Sequence, residues 1–267
     1  MMKGSGPIKK AVFISDVHLK PSDRGKSEIL RNFLKRINDV EVLFILGDFF
    51  DFWVGEEQLK VMDCNGLFKE LHFLANNGTR VCFLRGNRDF LLNRRSVRPF
   101  GAFMSGSHIE VLLNDKKVSL SHGDNFLLND EMYLLFRAVT RQPSLKAAFK
   151  HLLPYNIKML FAQCKRKESS ASVKRKVRHS ERIVELSKRA IIEQFKSGYD
   201  VIVCGHVHKP TITHLSIKGN SHTLYTLGDW SSEKGCYLLF DNNKFSLRSF
   251  PSEEELTESS PEVPSLF

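Results

Sequence analysis

The chain has 267 residues, 42% of them apolar and 26% charged, the profile of an ordinary globular protein long enough for one large domain or two small ones. Its five cysteines, Cys64, Cys82, Cys164, Cys204 and Cys236, are odd in number, widely spaced and form no CxxC pair, which speaks against a disulfide framework and for a reducing compartment. The net charge of +10 is local: residues 137–189 hold 15 Lys/Arg against Glu168, Glu181 and Glu185, a balance of +12, so the remainder sums to −2.

The opening MMKGSGPIKK is charged but leads into no apolar stretch of signal-peptide length, so neither secretion nor a membrane span is expected. Five short runs rich in Val, Ile, Leu and Phe then read as buried strands: 11–14, 40–46, 80–84, 118–120 and 201–204. Helical patterns lie between some of them. Ile29, Leu30, Phe33, Leu34 and Ile37 recur on one face of a helix opening near Ser27, and Leu67, Leu71 and Leu74 do so ahead of the Asn77-Gly78 stop. The alternation predicts an α/β architecture. Residues 127–195 break the rhythm: they read as helical, apolar and basic together, with Asp130 as an N-cap. After residue 210, runs at 211–215, 223–227, 236–240 and 245–250 predict hairpins of an antiparallel sheet, the last pair turned by Asn242-Asn243. Residues 252–267 carry five Glu, two Pro and no Lys or Arg, the composition of a disordered acidic tail.

Each of the five strand-like runs ends in ligand-type residues. The first leads to Asp16-x-His18, the second to Gly47-Asp48, and the third to Gly86-Asn87-Arg88-Asp89. The fourth leads to His122-Gly123-Asp124 and the fifth to Gly205-His206-Val207-His208. A lone Asp or His at a strand end is an ordinary turn or surface residue; five such endings in succession are not. Strand ends meeting at one crevice would gather Asp16, His18, Asp48, Asn87, His122, His206 and His208. Carboxylates, imidazoles and an amide oxygen, with no thiolate, suit divalent ions such as Mn, Fe, Co or Zn. Seven ligands are too many for one small ion but suit two sharing a carboxylate, roughly 3.5–4 Å apart, the usual apparatus for displacement at phosphorus.

The set D-x-H, G-D, G-N-R-D, H-G-D and G-H-x-H resembles the calcineurin-like metallophosphoesterases over roughly residues 11–250. The resemblance implies an αββα sandwich of two mixed sheets with flanking helices. It also implies one ion held by Asp16, His18, Asp48 and His208, and a second by Asp48, Asn87, His122 and His206, with Asp48 bridging. Many members carry histidine after the asparagine, where it protonates a leaving group. Arg88 stands there instead. A guanidinium, with a pKa above about 12, is no general acid at neutral pH, but it grips phosphate oxygens in a bidentate fork. That suits a diphosphate, whose departing phosphate needs no proton. The plainer role is a salt bridge to Asp89.

LGDFFDFWVG (46–55), GNRDFLL (86–92), SHGD with Asp130 and Tyr133 beyond it, and GHVHKP (205–210) are similar to the UDP-2,3-diacylglucosamine hydrolases of the lipid A pathway. That likeness implies attack on the α-phosphate of a UDP-linked diacyl sugar lipid, giving UMP and 2,3-diacylglucosamine 1-phosphate. It implies two Mn²⁺ ions and a peripheral position on the cytoplasmic face of the inner membrane. Residues 127–195 would be a helical lid for the acyl chains on a domain spanning 1–251. Asn87, Arg88 and His206 would be catalytic. Asn87, Arg88, His122, Asp130 and His206 would contact substrate, together with Ser169 and Lys176 of the lid, whose intervening polar position falls on Val173.

SLKAAFKHLLPYNIKMLFA (144–162) agrees on its own terms: Pro154 and its lysines make it too broken to span a bilayer, but apolar enough to lie on an anionic one or to cover a site. Amphipathic helices packed on the core are the plainer alternative. Trp53 and Phe90 shape either the groove or the core. Two other functions stay open. One is a phosphoesterase for other nucleotides or nucleic acid; against it, Phe136, Phe149, Tyr155 and Phe161 lie among aliphatics instead of cations, so no nucleic-acid partner is expected. The other is a non-catalytic scaffold, against which all seven ligands are present.

Overall fold

The computed structural model describes residues 8–21, 23–60, 62, 66–126, 142, 154, 157–158, 160 and 187–257. Eleven strands form two mixed sheets. The first has the order β11-β10-β1-β2-β3-β4, with β1 (Lys10–Ile14), β2 (Val42–Ile45), β3 (Arg80–Phe83) and β4 (Phe103–Met104) parallel, and β10 (Gly235–Asp241) and β11 (Lys244–Phe250) closing one side antiparallel. The second has the order β5-β6-β7-β9-β8: β6 (Lys116–Ser121), β7 (Val201–Cys204) and β9 (Asn220–Thr226) are parallel, and β5 (His108–Leu113) and β8 (Thr211–Ile217) are antiparallel edges.

The period of two along each strand sorts the core into layers. Ala11 and Phe13 of β1, with Val42 and Phe44 of β2, face Val118, Leu120, Val201 and Val203 of the second sheet. Phe13 and Phe44 stack at 5.1 Å between centroids. The alternate residues Val12, Ile14, Leu43 and Ile45 point the other way, onto α1 (Arg24–Arg36) and α2 (Leu67–Asn76) through Leu30, Phe33, Leu34, Leu67 and Leu71. On the far side, α4 (Lys188–Lys196) lays Ile191 and Phe195 against Ile202 and Leu224. A short α3 (Arg94–Val97) follows β3. Helices, sheet, sheet and helix make the αββα sandwich. Cys82, Cys204 and Cys236 are buried and free.

Several expectations change. The four strands after residue 210 do not share one antiparallel sheet: β8–β9 extends the second sheet and β10–β11 the first. The first helix starts earlier than Ser27, because the Asp23 carboxylate accepts from Lys26 N and caps it, while Ser27 is buried and donates its hydroxyl to Asp23 O. The segment assigned to the lid ends too late, since α4 is a packed layer of the sandwich. The acidic tail begins too early: Ser249 N donates to Glu254 O, Leu256 N to Leu247 O, and Tyr237 Oη to Glu253, which holds residues 253–256 on β11. Residues 127–141, 143–153, 155–156, 159, 161–186 and 258–267 lie outside the described residues. Trp53 is core, 1% exposed among Phe50 and its neighbours.

Phe13→Ala removes one half of the stacked pair between the sheets. It is expected to lower unfolding free energy by about 3–5 kcal/mol, read from the shift in denaturant midpoint at constant slope.

Candidate metal centre

The parallel pairing of β1 with β2 does not stop where the strands do. Leu46 N donates to Ile14 O, Asp16 N to Gly47 O, His18 N to Asp48 O and Leu19 N to Phe49 O. Two ligand-bearing loops are thereby zipped together beyond the sheet. Five candidate ligands, three on these loops and two on the loop after β7, adopt left-handed backbone: Asp16 (φ 54°), His18 (50°), Asp48 (51°), His206 (74°) and His208 (57°). Such residues are uncommon, and strain of this kind collects at functional sites.

The glycines beside them are dictated by contact. A Cβ on Gly86 would collide with Asp48 Oδ1, and one on Gly205 would collide with Ser15 Oγ and Asp16 Oδ2. Gly47, itself at φ 87°, would place a Cβ 2.6 Å from Gly86 N. Three of the strand ends belong to the first sheet and two to the second, so the site sits on the seam between them. His206 N donates to Asp16 Oδ2 (2.8 Å), and His122 Nδ1 lies 3.0 Å from Leu46 O; both contacts cross that seam.

All seven expected ligands come together. Asp16 and His122 are fully buried, Asp48 is 1% exposed, and the cleft opens outward through His206 to the exposed His208. Ligand atoms of Asp16, His18 and His208 lie within 4.8 Å of one another, as do those of Asp16, Asp48 and His122. Asn87 Oδ1 (2.9 Å) and His206 Nδ1 (3.1 Å) adjoin His122 Nε2 and so join the second group. Asp48 Oδ2 stands between the two, 3.9 Å from His18 Nδ1 and 3.6 Å from His122 Nε2. Asp16 also touches both groups, more than the expected ligand sets assigned to it.

Whether these residues fit cations is answered by their loose ends. Among the described residues, Asp16 Oδ1 and His18 Nδ1 are buried without a hydrogen-bond partner. The Nε2 atoms of His18 and His208 face each other at 3.1 Å, and both face Asp16 Oδ1, at 3.6 and 3.3 Å. Converging lone pairs on a buried carboxylate and two imidazoles are what a divalent ion completes. His122 is oriented for the same end: a proton on Nδ1 is donated to the Leu46 carbonyl, which leaves Nε2 toward the site, the usual second partner of a ligating histidine.

The charges are strongly interdependent. Burial pushes the Asp16 carboxyl up, but His122, His18 and His208 together hold it well below the carboxylate range. Burial pushes His122 down, yet Asp48 and Asp16 raise it to about 9, so it carries a proton at neutral pH. That proton, with burial, holds His206 down at about 4 and neutral. Burial and the charge of Asp48 push Asp89 up to about 7. A proton on His122 thus supplies part of the positive charge that the carboxylates demand.

Arg88 lies at the same cleft. Its Nε is 3.7 Å from Asp48 Oδ2, its Nη1 is 3.5 Å from Asp51 Oδ1, and its guanidinium sits 5.7 Å from the centre of the Phe52 ring. Asp89, its partner in the plainer alternative, accepts backbone N–H groups from Phe49 and Gly86. Asp51 escaped the sequence reading although it belongs to the quoted LGDFFDFWVG. Asp130, Ser169, Val173 and Lys176 lie outside the described residues.

Known proteins resemble the chain. A family model described as calcineurin-like phosphoesterase matches residues 9–210. Curated proteins named UDP-2,3-diacylglucosamine hydrolase, from Pseudomonas savastanoi pv. phaseolicola and Stenotrophomonas maltophilia, are each 32% identical to the chain. They align over 92% and 91% of it and over 98% and 99% of their own lengths. Among solved structures, Yfce, a phosphoesterase from E. coli, is 16% identical, with a TM-score of 0.45 over 93% of this chain and 97% of its own.

Two outcomes are expected. Asp48→Ala, which removes the carboxylate between the two groups, loses both ions by elemental analysis; a full metal load in that variant contradicts a shared ligand. Metal uptake below about pH 9 displaces the His122 proton, so affinity rises with pH up to that point. Calorimetry in buffers of different ionisation enthalpy should read about one proton released per protein near pH 7.5.

Proposed function

The chain belongs to the calcineurin-like phosphoesterase family and is a metal-dependent hydrolase, and on that premise we propose that its substrate is UDP-2,3-diacylglucosamine, cleaved at the α-phosphate to UMP and 2,3-diacylglucosamine 1-phosphate. One observation carries this reading: relatives bearing that enzyme's name align over at least nine-tenths of both chains. The sequence departs from many phosphoesterases at Arg88, and the placement of that residue supports the same substrate. The Asp51 carboxylate and the Phe52 ring hold its guanidinium beside Asp48. From there it can fork two phosphate oxygens and balance the charge that builds on them. It has no proton to give, and a departing sugar phosphate needs none.

In this reading Asp16, His18, Asp48 and His208 hold one divalent ion, and Asp48, Asn87, His122 and His206 the other, Mn²⁺ being the ion we assign. When bound, such a pair supplies Lewis acidity at phosphorus and an activated water. The protein's share is to orient and to balance charge. His122 is aligned by the Leu46 carbonyl, Asn87 offers its amide oxygen, and neutral His206 offers a lone pair. The domain runs from the N-terminus to about residue 257. Its basic insertion after residue 126 receives the acyl chains, with Asp130, Ser169 and Lys176 toward the head group. No helix among the described residues is long and apolar enough to cross a membrane. A lipid-linked substrate and an insertion rich in cations support a peripheral position on the cytoplasmic face of the inner membrane.

Purified chain with Mn²⁺ and UDP-2,3-diacylglucosamine is expected to release UMP, and a chelator to stop it. Activity on a generic phosphodiester but not on this lipid would retain the hydrolase and discard the substrate. Arg88→Ala should lower kcat by about 10²–10³-fold with metal content intact. Arg88→Lys should recover only part of the loss, since it restores the charge without the fork.

A further inference from the structure

Asp89 is fully buried and carries none of the roles above. Its Oδ1 accepts from Gly86 N at 2.7 Å, in its own loop, and its Oδ2 accepts from Phe49 N at 2.9 Å, in the loop after β2. Phe49 N belongs to the peptide bond that leaves Asp48. The carboxylate therefore grips the backbone on the C-terminal side of the candidate bridging ligand, while Asn87 lies two residues before Asp89 itself. A return contact runs the other way: Arg88 N donates to Asp48 Oδ1 at 2.9 Å. The two loops meet so closely that only glycine fits at positions 47 and 86.

We propose that Asp89 is a positioning residue that clips the Asp48 loop to the Asn87 loop and so sets the spacing of the ligands for the second ion. Three features support it. Asp48 has φ 51°, a conformation that persists only where the surroundings over-determine it, and the grip on Phe49 N is such a restraint. Two backbone N–H groups converge on one side chain, a demand that a carboxylate meets with two acceptor oxygens. An amide at the same place has only one and would turn its NH₂ toward a donor. The residues joined are 40 apart in sequence, so no local turn enforces the contact. The effect is greatest for the second ion, which takes both Asp48 and Asn87 from the two clipped loops, whereas the first takes only Asp48 from them. This inference rests on the dimetal reading proposed above.

The test uses the full chain, with Mn²⁺ as the probe, in wild type, Asp89→Asn, Asp89→Glu and Leu113→Ala. Leu113 is fully buried at the opposite end of the β5–β6 hairpin from His122 and reports what lost stability alone does to metal binding. Wild type should bind two Mn²⁺ and give the electron paramagnetic resonance spectrum of a coupled pair. Asp89→Asn should keep one tight site and weaken the other by about 10–100-fold. The coupled spectrum should give way to the six lines of an isolated ion. kcat should fall at limiting Mn²⁺ with KM held, and return with excess metal. Asp89→Glu, which keeps both oxygens one methylene further out, should recover part of the affinity, and it carries the test if Asp89→Asn does not fold. Two tight, coupled ions in Asp89→Asn would overturn the proposal, as would the same selective loss in Leu113→Ala. A wild-type chain that binds only one ion would overturn the dimetal reading, and this inference with it, before any variant is compared.

Discussion

An ionised carboxylate with no exposed surface, Asp16, sits on the seam between two sheets, and much of the surrounding structure answers to it. A buried charge without compensation is untenable in a protein interior. Compensation here comes from both sheets at once. His206 N reaches one oxygen from the loop after β7, and His18 and His208 face the other. To bring the β7 loop that near, Gly205 must lack a side chain, because a Cβ there would occupy the space of Asp16 itself. Glycines next to the ligands are therefore part of the electrostatics: they shorten the distances on which the carboxylate depends.

Hydrogen bonds alone do not finish the task. Asp16 Oδ1 and His18 Nδ1 make no hydrogen bond among the described residues, and His122 is driven to hold a proton. A proton here balances charge that a dication would balance better. Cation binding, proton release and the neutrality of His206 are linked aspects of one charge balance. The five left-handed ligand residues are the backbone counterpart: their strain is tolerable because each loop is tied to a neighbour by main-chain hydrogen bonds beyond the end of its strand.

The five central strands, the alternation with helices and the convergence of the seven candidate ligands are legible in the sequence, for one physical reason. A buried parallel strand is a nearly continuous apolar run, so its end is sharp, and a polar residue just past it stands out. Other features left weaker traces. The edge strand β5, HIEVLL, alternates exposed and buried residues and was passed over. The division of the last four strands between two sheets depends on long-range pairing that no local pattern encodes. The Asp23 cap lies well ahead of Ile29, the first residue of the visible apolar pattern. Asp51 and Asp89 were present in the quoted motifs, but their roles are invisible there, since each acts on a loop some forty residues away along the chain.

A division of labour follows from where these contacts fall. Many of the contacts around the seven candidate ligands engage the main chain and cross between loops or between sheets. A substitution in that floor would disturb several ligands together, so the floor has little room to adapt to a new substrate. The residues that can adapt are those facing the cleft without bracing it. Arg88 is the clearest case. Its backbone N–H steadies Asp48, a service any residue but proline performs, while its side chain is free to differ in chemistry. Histidine at that place could offer a proton to a leaving alkoxide, whereas the arginine, as proposed above, would offer a fork to a leaving phosphate. On the proposed reading one backbone would serve two kinds of leaving group, and the choice between them would rest on a side chain that is not among the candidate metal ligands.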